Sequence, residues 1–253
     1  MAGVAEIGRV GKQVEGPDWP AIRAVCFDLD GTLYNRLPLR ARVVGILVTE
    51  WLRGEISIAD LKVLRRYRQN RELARNWEPA PDLEQRLLRR TAEQAGISDQ
   101  RAAELVGRWV YRAPLPALAS LRDRRIRGLL QTLRLRGYRI GVFSDYPVAD
   151  KLEALDLPHT LFDAIVEAPQ PEVGALKPNP RGFLLSCEKL GLSPQQVLYV
   201  GDRDPLDGAG ARAAGMQFAL YRRFDFPPSG SPVLTSLLQL EQWLRPRYGT
   251  FRA

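Results

Sequence analysis

The chain has 253 residues, a formal net charge of +8 and 45% hydrophobic residues, which is enough to bury the core of one large domain or two small ones. It contains one histidine and two cysteines, too few ligands of the right kind for a zinc cluster, and this argues against histidine-based catalysis as well. No apolar run approaches the length that spans a bilayer, and the N-terminus lacks a signal-type apolar core, so we expect a cytoplasmic protein without a membrane partner.

The positive charge comes mainly from arginine, since only five of the 37 basic residues are lysines. The arginines are scattered and mixed with acidic residues, and no signature of a nucleic-acid-binding fold accompanies them. We therefore predict no nucleic-acid partner, while basic residues near a site could attract phosphorylated substrates.

The first ordered element is expected after a loose leader at residues 1–20. The apolar run at residues 24–27 predicts a buried strand, and the sequence Asp-Leu-Asp-Gly-Thr follows it at residues 28–32. Alternate residues of an extended chain point the same way, so Asp28 and Asp30 are expected to share a face. Such a pair repels unless a divalent cation screens it, and with the cation it could supply a nucleophile and a proton-transfer group. The same short pattern also occurs in turns and calcium loops.

A block without strand alternation follows, and then helix and strand patterns alternate. Helical patterns cover residues 40–53, 58–77, 81–95 and 99–111. Later strands are predicted at 138–143, 162–166, 196–200 and 216–221, and later helices through residue 135 and at 148–156, 180–190, 207–214 and 232–244. This alternation predicts an α/β fold, a parallel sheet with helices on both faces. Three tryptophans of the helical block are expected in its core: Trp51, Trp77 and Trp109.

Two of the later segments end in a polar residue. Ser144 follows the second strand pattern and could donate to a phosphoryl oxygen, as could the backbone N–H of Asp145; Ser144 could equally begin a turn or cap the next helix. Lys177 precedes Pro178 and Pro180, which restrict the path of the backbone there. Its ammonium could hold a carboxylate ionised and offset phosphoryl charge, or it could be an ordinary surface lysine.

The strand pattern at residues 196–200 leads into a loop with three carboxylates. Asp202 stands at the strand end, where a carboxylate is well placed to bind Mg²⁺. Asp207 could bind a metal-bound water or orient Lys177, whereas Asp204 could be solvated or cap the next helix. Either Asp204 or Asp207 could be the second acid of this loop.

The order and spacing of these groups resembles the haloacid dehalogenase-like hydrolases, a superfamily with D-x-D-G-T, Ser/Thr, Lys and G-D-x₃₋₄-D motifs after successive core strands. The resemblance runs from Ile22 to the last helix. It implies a Rossmann-like core at 21–36 and 117–247, a helical cap domain at 37–116 and a tail at 248–253.

The resemblance also implies a chemistry. Asp28 would be the nucleophile that forms an aspartyl-phosphate, and Asp30 would protonate the leaving group and then activate water. Ser144 and Lys177 would hold the phosphoryl oxygens. Mg²⁺ would be bound by Asp28, Asp202 and the backbone carbonyl of Asp30.

These residues predict a Mg²⁺-dependent hydrolase of small phosphorylated metabolites, with alternatives that stay open. Members that cleave carbon–halogen or carbon–phosphorus bonds replace the residue equivalent to Asp30, and phosphonate cleavage uses a cap lysine, for which Lys62 is the one candidate. A sugar-phosphate mutase keeps both aspartates, and a binding protein could keep the fold without turnover. The sequence leaves the substrate, its cap contacts and the oligomeric state open; candidate contacts are Tyr34, Asn35, Arg36, Arg40, Arg42 and Trp51.

Overall fold

A computed structural model describes residues 17–222 and 232–244 of the chain. Six parallel strands form one sheet in the order β3-β2-β1-β4-β5-β6. The strands are β1 (Ala24–Phe27), β2 (Arg139–Ser144), β3 (Ala164–Glu167), β4 (Val197–Gly201), β5 (Gln217–Tyr221) and β6 (Val233–Leu234). The predicted α/β fold with a parallel sheet is confirmed.

Ten α-helices accompany these strands in the described residues. Six of them lie between β1 and β2, and the first four of these form the helical block: α1 (Arg36–Leu52), α2 (Ile58–Leu73), α3 (Leu83–Ala95) and α4 (Asp99–Val106). The others are α5 (Leu115–Ala119), α6 (Arg124–Leu135), α7 (Ala149–Ala154), α8 (Arg181–Leu190), α9 (Ala209–Ala213) and α10 (Gln239–Trp243). None of the helices in 17–222 and 232–244 is long and apolar enough to cross a membrane. The cytoplasmic location stays a prediction.

The register of the central strands decides where the polar loops meet. In β1, Phe27 pairs with Val142 of β2 on one side and with Val200 of β4 on the other. The backbone N–H of Asp28 continues the ladder by donating to the Val200 carbonyl at 2.8 Å. Because parallel strands end at the same edge of a sheet, the residues that follow β1, β2 and β4 are brought together there.

The helical block is stabilised by its own caps and core. Ser57 and Asp60 form a reciprocal capping box at the start of α2, and Gly96 ends α3 in a left-handed conformation. Trp109 is buried among the helices as expected, and Trp77 is partly buried. The expectation for Trp51 is wrong, because it lies near the end of α1 on the outer surface of the block and is 44% exposed.

The C-terminal part of the described chain differs from the predicted helix at 232–244. Residues Val233–Leu234 form the sixth strand, and only Gln239–Trp243 is helical. The segment pairs with the edge of β5 and so does not form a helix from residue 232. The Leu220 N–H of β5 donates to the Pro232 carbonyl. The Gln239 side chain then accepts hydrogen bonds from the backbone of 235 and 236 and organises the turn into the short helix. Most of the predicted leader and all of the predicted tail lie outside the described residues.

Candidate active site

A buried lysine lies between two buried carboxylates at the carboxyl edge of the sheet. The Lys177 Nζ donates to Asp28 Oδ1 at 2.6 Å and to Asp207 Oδ1 at 2.8 Å. The Lys177 side chain is 1% exposed, against 7% for Asp28 and 1% for Asp207. Thr32 Oγ1 donates to the second oxygen of Asp28 at 3.0 Å. Both Asp28 oxygens are therefore fixed in place, and Lys177 is not the surface lysine that the sequence left possible.

Asp202 completes a group of three carboxylates. One oxygen each of Asp28, Asp202 and Asp207 lies within 4.8 Å of the others. Asp202 Oδ1 is buried and has no hydrogen-bond partner among the described residues, while its Oδ2 is 2.9 Å from the Arg36 guanidinium. Mg²⁺ prefers carboxylate oxygens, and a buried oxygen without a partner is costly unless a cation binds it. The donor set therefore fits Mg²⁺.

Gly31 lets the first loop approach this group closely. Its φ of +111° is one that residues with a side chain rarely adopt, and a Cβ there would lie 2.3 Å from Asp202 Oδ2. The glycine after the two aspartates is thus required both by the turn and by the position of Asp202.

Burial and charge set the protonation of the nucleophile candidate. Burial raises the pKa of Asp28 to about 8, with Lys177 acting in the opposite direction and the carboxylates of Asp207, Asp202 and Asp30 adding to the rise. Burial alone would lower the pKa of Lys177, but Asp207 and Asp28 outweigh it and raise that pKa above its usual value. A positive charge at this position is therefore held firmly.

Asp30 points to a different set of partners. Its Oδ2 accepts from Ser144 Oγ at 3.1 Å, and its Oδ1 accepts from Lys151 Nζ at 2.5 Å and from the Tyr34 hydroxyl. Burial would raise the pKa of Asp30, but Lys151 and the hydrogen bonds outweigh it and lower the pKa to about 2. The Asp30 carboxylate lies outside the group of three, so any part it plays in a metal site would fall to its backbone carbonyl.

The structure answers two questions that the sequence left open: which acid of the loop after β4 belongs to the site, and what Ser144 contacts. Asp207 is buried against Lys177, whereas Asp204 lies outside the site and pairs with Arg212 at 2.8 Å. Ser144 both donates to Asp30 and accepts from the Tyr146 N–H at 3.0 Å, so it also begins the turn after β2. Lys62 is exposed on α2, away from this group.

Asp145 has a role that the sequence did not suggest. Its side chain is 5% exposed; Oδ1 accepts from the Lys177 N–H at 2.9 Å and Oδ2 from Arg75 at 2.8 Å. Arg75 also donates to the Lys177 carbonyl at 2.6 Å, and Arg71 of α2 donates to the Asp145 carbonyl and lies 4.0 Å from the Tyr146 ring centroid. The helical block thus contacts the backbone at residues 145 and 177, on either side of this edge of the sheet.

Sequence reasoning missed three of these residues: Lys151, Arg71 and Arg75. Each is a basic residue in a helical segment, and such residues are common in this chain, so residue type alone could not identify these three as part of the site. Lys151 alone had a weak one, because lysine is rare in this chain.

Comparison with known proteins gives consistent matches. A family model described as haloacid dehalogenase-like hydrolase matches residues 22–215. The chain is 30% identical over 213 residues to glyceraldehyde 3-phosphate phosphatase of Methanopyrus kandleri, covering 80% of this chain and 84% of that protein. It is 30% identical over 208 residues to phosphoglycolate phosphatase of Mannheimia succiniciproducens, covering 78% and 86%.

Solved structures share the fold at lower identity. The HAD-hydrolase YfnB from Bacillus subtilis, bound to magnesium, has a TM-score of 0.64 at 16% identity, over 88% of this chain and 98% of that one. A HAD phosphatase from Thermococcus onnurineus has a TM-score of 0.56 at 21% identity, over 89% and 99%. At these identities the likeness shows the fold alone.

Proposed function

This chain belongs to the haloacid dehalogenase-like hydrolase family, and we propose that it is a Mg²⁺-dependent phosphatase that hydrolyses small phosphomonoesters through an aspartyl-phosphate on Asp28. The relatives at 30% identity are named as phosphatases of glyceraldehyde 3-phosphate and of phosphoglycolate, both small phosphate esters. One observation carries the proposal: Lys177 bridges Asp28 and Asp207 at the same edge where Ser144 binds Asp30.

In the first step, the ionised carboxylate of Asp28 attacks the phosphorus atom and the ester P–O bond breaks. Because burial raises the pKa of Asp28 to about 8 in the free chain, its carboxyl group must first lose a proton, and the Lys177 ammonium favours the ionised form. Lys177 and Thr32 hold the Asp28 carboxylate in one orientation, so little reorganisation precedes the attack. The ammonium of Lys177 also offsets negative charge on the transferring phosphoryl group. The product on the protein is an aspartyl-phosphate.

Asp30 handles the proton in both steps. It gives a proton to the leaving oxygen when the ester bond breaks, and it then takes one from the water that hydrolyses the aspartyl-phosphate. Since its pKa is lowered to about 2 here, the free chain is set for the second of these roles. The first role requires the arriving ester to weaken the bond between Asp30 and Lys151.

Asp28 and Asp202, with the backbone carbonyl of Asp30, would hold Mg²⁺. When bound, the ion would screen the charge of the phosphoryl group. Asp207 is turned toward Lys177, so we assign it to orienting that lysine or to contacting a metal-bound water. The helical block, residues 37–116, would act as the cap that limits access of water, with Arg71 and Arg75 as its contacts with the core.

The experiment is phosphate release from a panel of small phosphomonoesters, with Mg²⁺ and with a chelator. We expect release by the native chain only with Mg²⁺, and a loss of at least about 1,000-fold for Asp28→Asn. Asp204→Asn is the matched control, because Asp204 belongs to the same loop yet pairs with Arg212, and it should stay within about threefold of the native rate.

Two results would contradict the proposal. If Asp28→Asn still releases phosphate, Asp28 is not the nucleophile. If a chelator leaves phosphate release unchanged, the reaction does not depend on Mg²⁺. A phosphate ester that is isomerised without net release, and only with a bisphosphate activator, would favour the mutase alternative.

A further inference from the structure

We infer that Lys151 binds an anionic group on the leaving part of the substrate, so that the preferred esters carry a second negative charge, a carboxylate or another phosphate, within a few bonds of the ester oxygen. The inference rests on the proposed phosphatase function and names the substrate class for that site. It concerns a lysine of α7 that belongs to none of the four sequence motifs.

Lys151 lies in the more exposed part of the site. Its Nζ donates to Asp30 Oδ1 at 2.5 Å and lies 4.8 Å from the centroid of the Tyr146 ring. Side-chain exposure falls from 18% at Asp30 and 16% at Lys151 to 7% at Asp28 and 1% at Lys177. Lys151 thus lies in contact with Asp30 on the more solvent-accessible side of the site.

Asp30 must give up a hydrogen bond before it can act on an ester. Both of its oxygens are occupied in the free chain, Oδ2 by Ser144 and Oδ1 by Tyr34 and Lys151. To contact the ester oxygen, Asp30 must lose at least one donor. Ser144 and Tyr34 are 0% and 3% exposed, whereas Lys151 has a flexible four-carbon stem and solvent access. Lys151 is therefore the donor that gives way.

Lys151 loses its carboxylate partner when Asp30 turns toward an ester. Other cations around the site keep a carboxylate partner besides Asp30: Lys177 has Asp28 and Asp207, Arg75 and Arg203 have Asp145, and Arg36 has Asp202. Within 17–222 and 232–244, the carboxylate placed on Lys151 is Asp30 alone. Once Asp30 turns to the ester oxygen, the Lys151 ammonium, 16% exposed, loses this ion pair, and an anionic group on the ligand would replace it with another charge-assisted hydrogen bond.

The displaced ammonium stays close to the ester oxygen, because it begins in contact with the group that protonates that oxygen. The anion must therefore be attached near the ester linkage. A carboxylate-bearing ester such as 2-phosphoglycolate meets this requirement, whereas the leaving part of glyceraldehyde 3-phosphate is uncharged. The two relatives at 30% identity differ in this very property by name, and Lys151 favours the first kind of substrate.

The test compares kcat/KM for three esters of a two-carbon alcohol: 2-phosphoglycolate, glycolaldehyde phosphate as its neutral counterpart, and ethylene glycol bisphosphate. We expect the native chain to prefer an anionic ester to the neutral one by at least about tenfold. Lys151→Met should lower kcat/KM for the preferred anionic ester by about 10- to 100-fold, chiefly through KM, and that for the neutral ester by less than about threefold. The two anionic esters distinguish carboxylate from phosphate as the group bound.

Two further variants complete the design. Lys151→Arg keeps the charge and should retain most of the preference, which a variant with a misfolded site would not do. Lys62→Met, at an exposed lysine of α2, removes the same charge far from the site and should change neither value.

The outcomes separate this inference from the function on which it rests. An equal loss on charged and neutral esters in Lys151→Met would mean that Lys151 acts only by positioning Asp30, and the inference would be wrong. Asp28-dependent hydrolysis without any preference for anionic esters would also overturn it, while the phosphatase function would stand. If no ester is hydrolysed with dependence on Asp28, both fail.

Discussion

Replacing Lys177 by methionine removes the charge that lies between two buried carboxylates. Lys177→Met keeps nearly the same side-chain length, and the rings of Phe143 and Tyr199, 4.9 and 5.3 Å from the Nζ, would pack against the thioether. The effect on packing is therefore small, and the change reports mainly on electrostatics.

The magnitude follows from the contacts that are lost. Lys177 bonds Asp28 at 2.6 Å and Asp207 at 2.8 Å, and all three side chains are at most 7% exposed. Breaking a buried ion pair by removing one partner costs about 3–5 kcal/mol, because the remaining charge is left uncompensated. We expect a loss of that size in the free energy of unfolding without metal.

The loss should also depend on pH in a defined direction. Burial raises the pKa of Asp28, and without Lys177 the rise is larger, so the carboxyl binds a proton more readily in the folded chain than in the unfolded one. The folded state is then favoured at low pH and loses stability as the pH rises through the raised value. The difference between native chain and variant should accordingly be larger at pH 9 than at pH 6.

The assay is urea unfolding followed by far-UV circular dichroism, at both pH values and with and without Mg²⁺. Added Mg²⁺ should stabilise the variant more than the native chain, because the same carboxylates then lack their internal cation. Lys62→Met serves as the control and should differ by less than about 0.5 kcal/mol. A loss below about 1 kcal/mol, or one that shrinks as the pH rises, would refute the electrostatic reasoning.

Three further predictions concern the surroundings of this group. Arg75→Met removes the 2.8 Å ion pair with Asp145 and the hydrogen bond to the Lys177 carbonyl. We expect the free energy of unfolding in urea to fall by about 2–3 kcal/mol and the rate of phosphate release to fall about tenfold. An unchanged rate would contradict the positioning role of Arg75. Burial would raise the pKa of Asp145, but Lys177, Arg75 and Arg71 outweigh it and hold that pKa below its ordinary value. The ionised side chain therefore stabilises the fold above about pH 4, and this stabilisation is lost as the pH falls. Urea unfolding between about pH 4 and 2 should show a smaller loss of stability for Asp145→Asn than for the native chain, and equal losses would contradict this. Gly31→Ala places a Cβ against Asp202 at a φ of +111°. The change should lower the free energy of unfolding by about 1–3 kcal/mol and weaken Mg²⁺ binding measured by calorimetry. An unchanged Mg²⁺ affinity would show that the metal site does not depend on this glycine.

The fold and the inner part of the site could be predicted because both depend on short patterns. Apolar strand runs followed at once by Asp28, Ser144 and Asp202 place these residues at one edge as soon as the strands are parallel. Lys177 could be added through the motif that surrounds it. None of these steps requires a long-range contact to be known in advance.

The remaining features depend on contacts between distant segments. Arg75 meets Lys177 across 102 positions of the chain, and Lys151 meets Asp30 across 121, so neither pairing has a local signal. The choice between Asp204 and Asp207 depends on how the loop after β4 turns, which only the structure shows. The strand at Val233–Leu234 has two residues, too few for a period to be read.

Chemical trapping shows whether Asp28 carries the phosphoryl group. The native chain and Asp30→Asn, which should slow the hydrolysis of the intermediate, are mixed with 2-phosphoglycolate and Mg²⁺, quenched and reduced with borohydride, and the peptide containing residue 28 is sequenced by mass spectrometry. Borohydride would reduce an aspartyl-phosphate to homoserine, so we expect homoserine at position 28 only when ester and Mg²⁺ are both present. Phosphate release with an intact Asp28 in every quenched sample, or trapping at a different carboxylate, would contradict it.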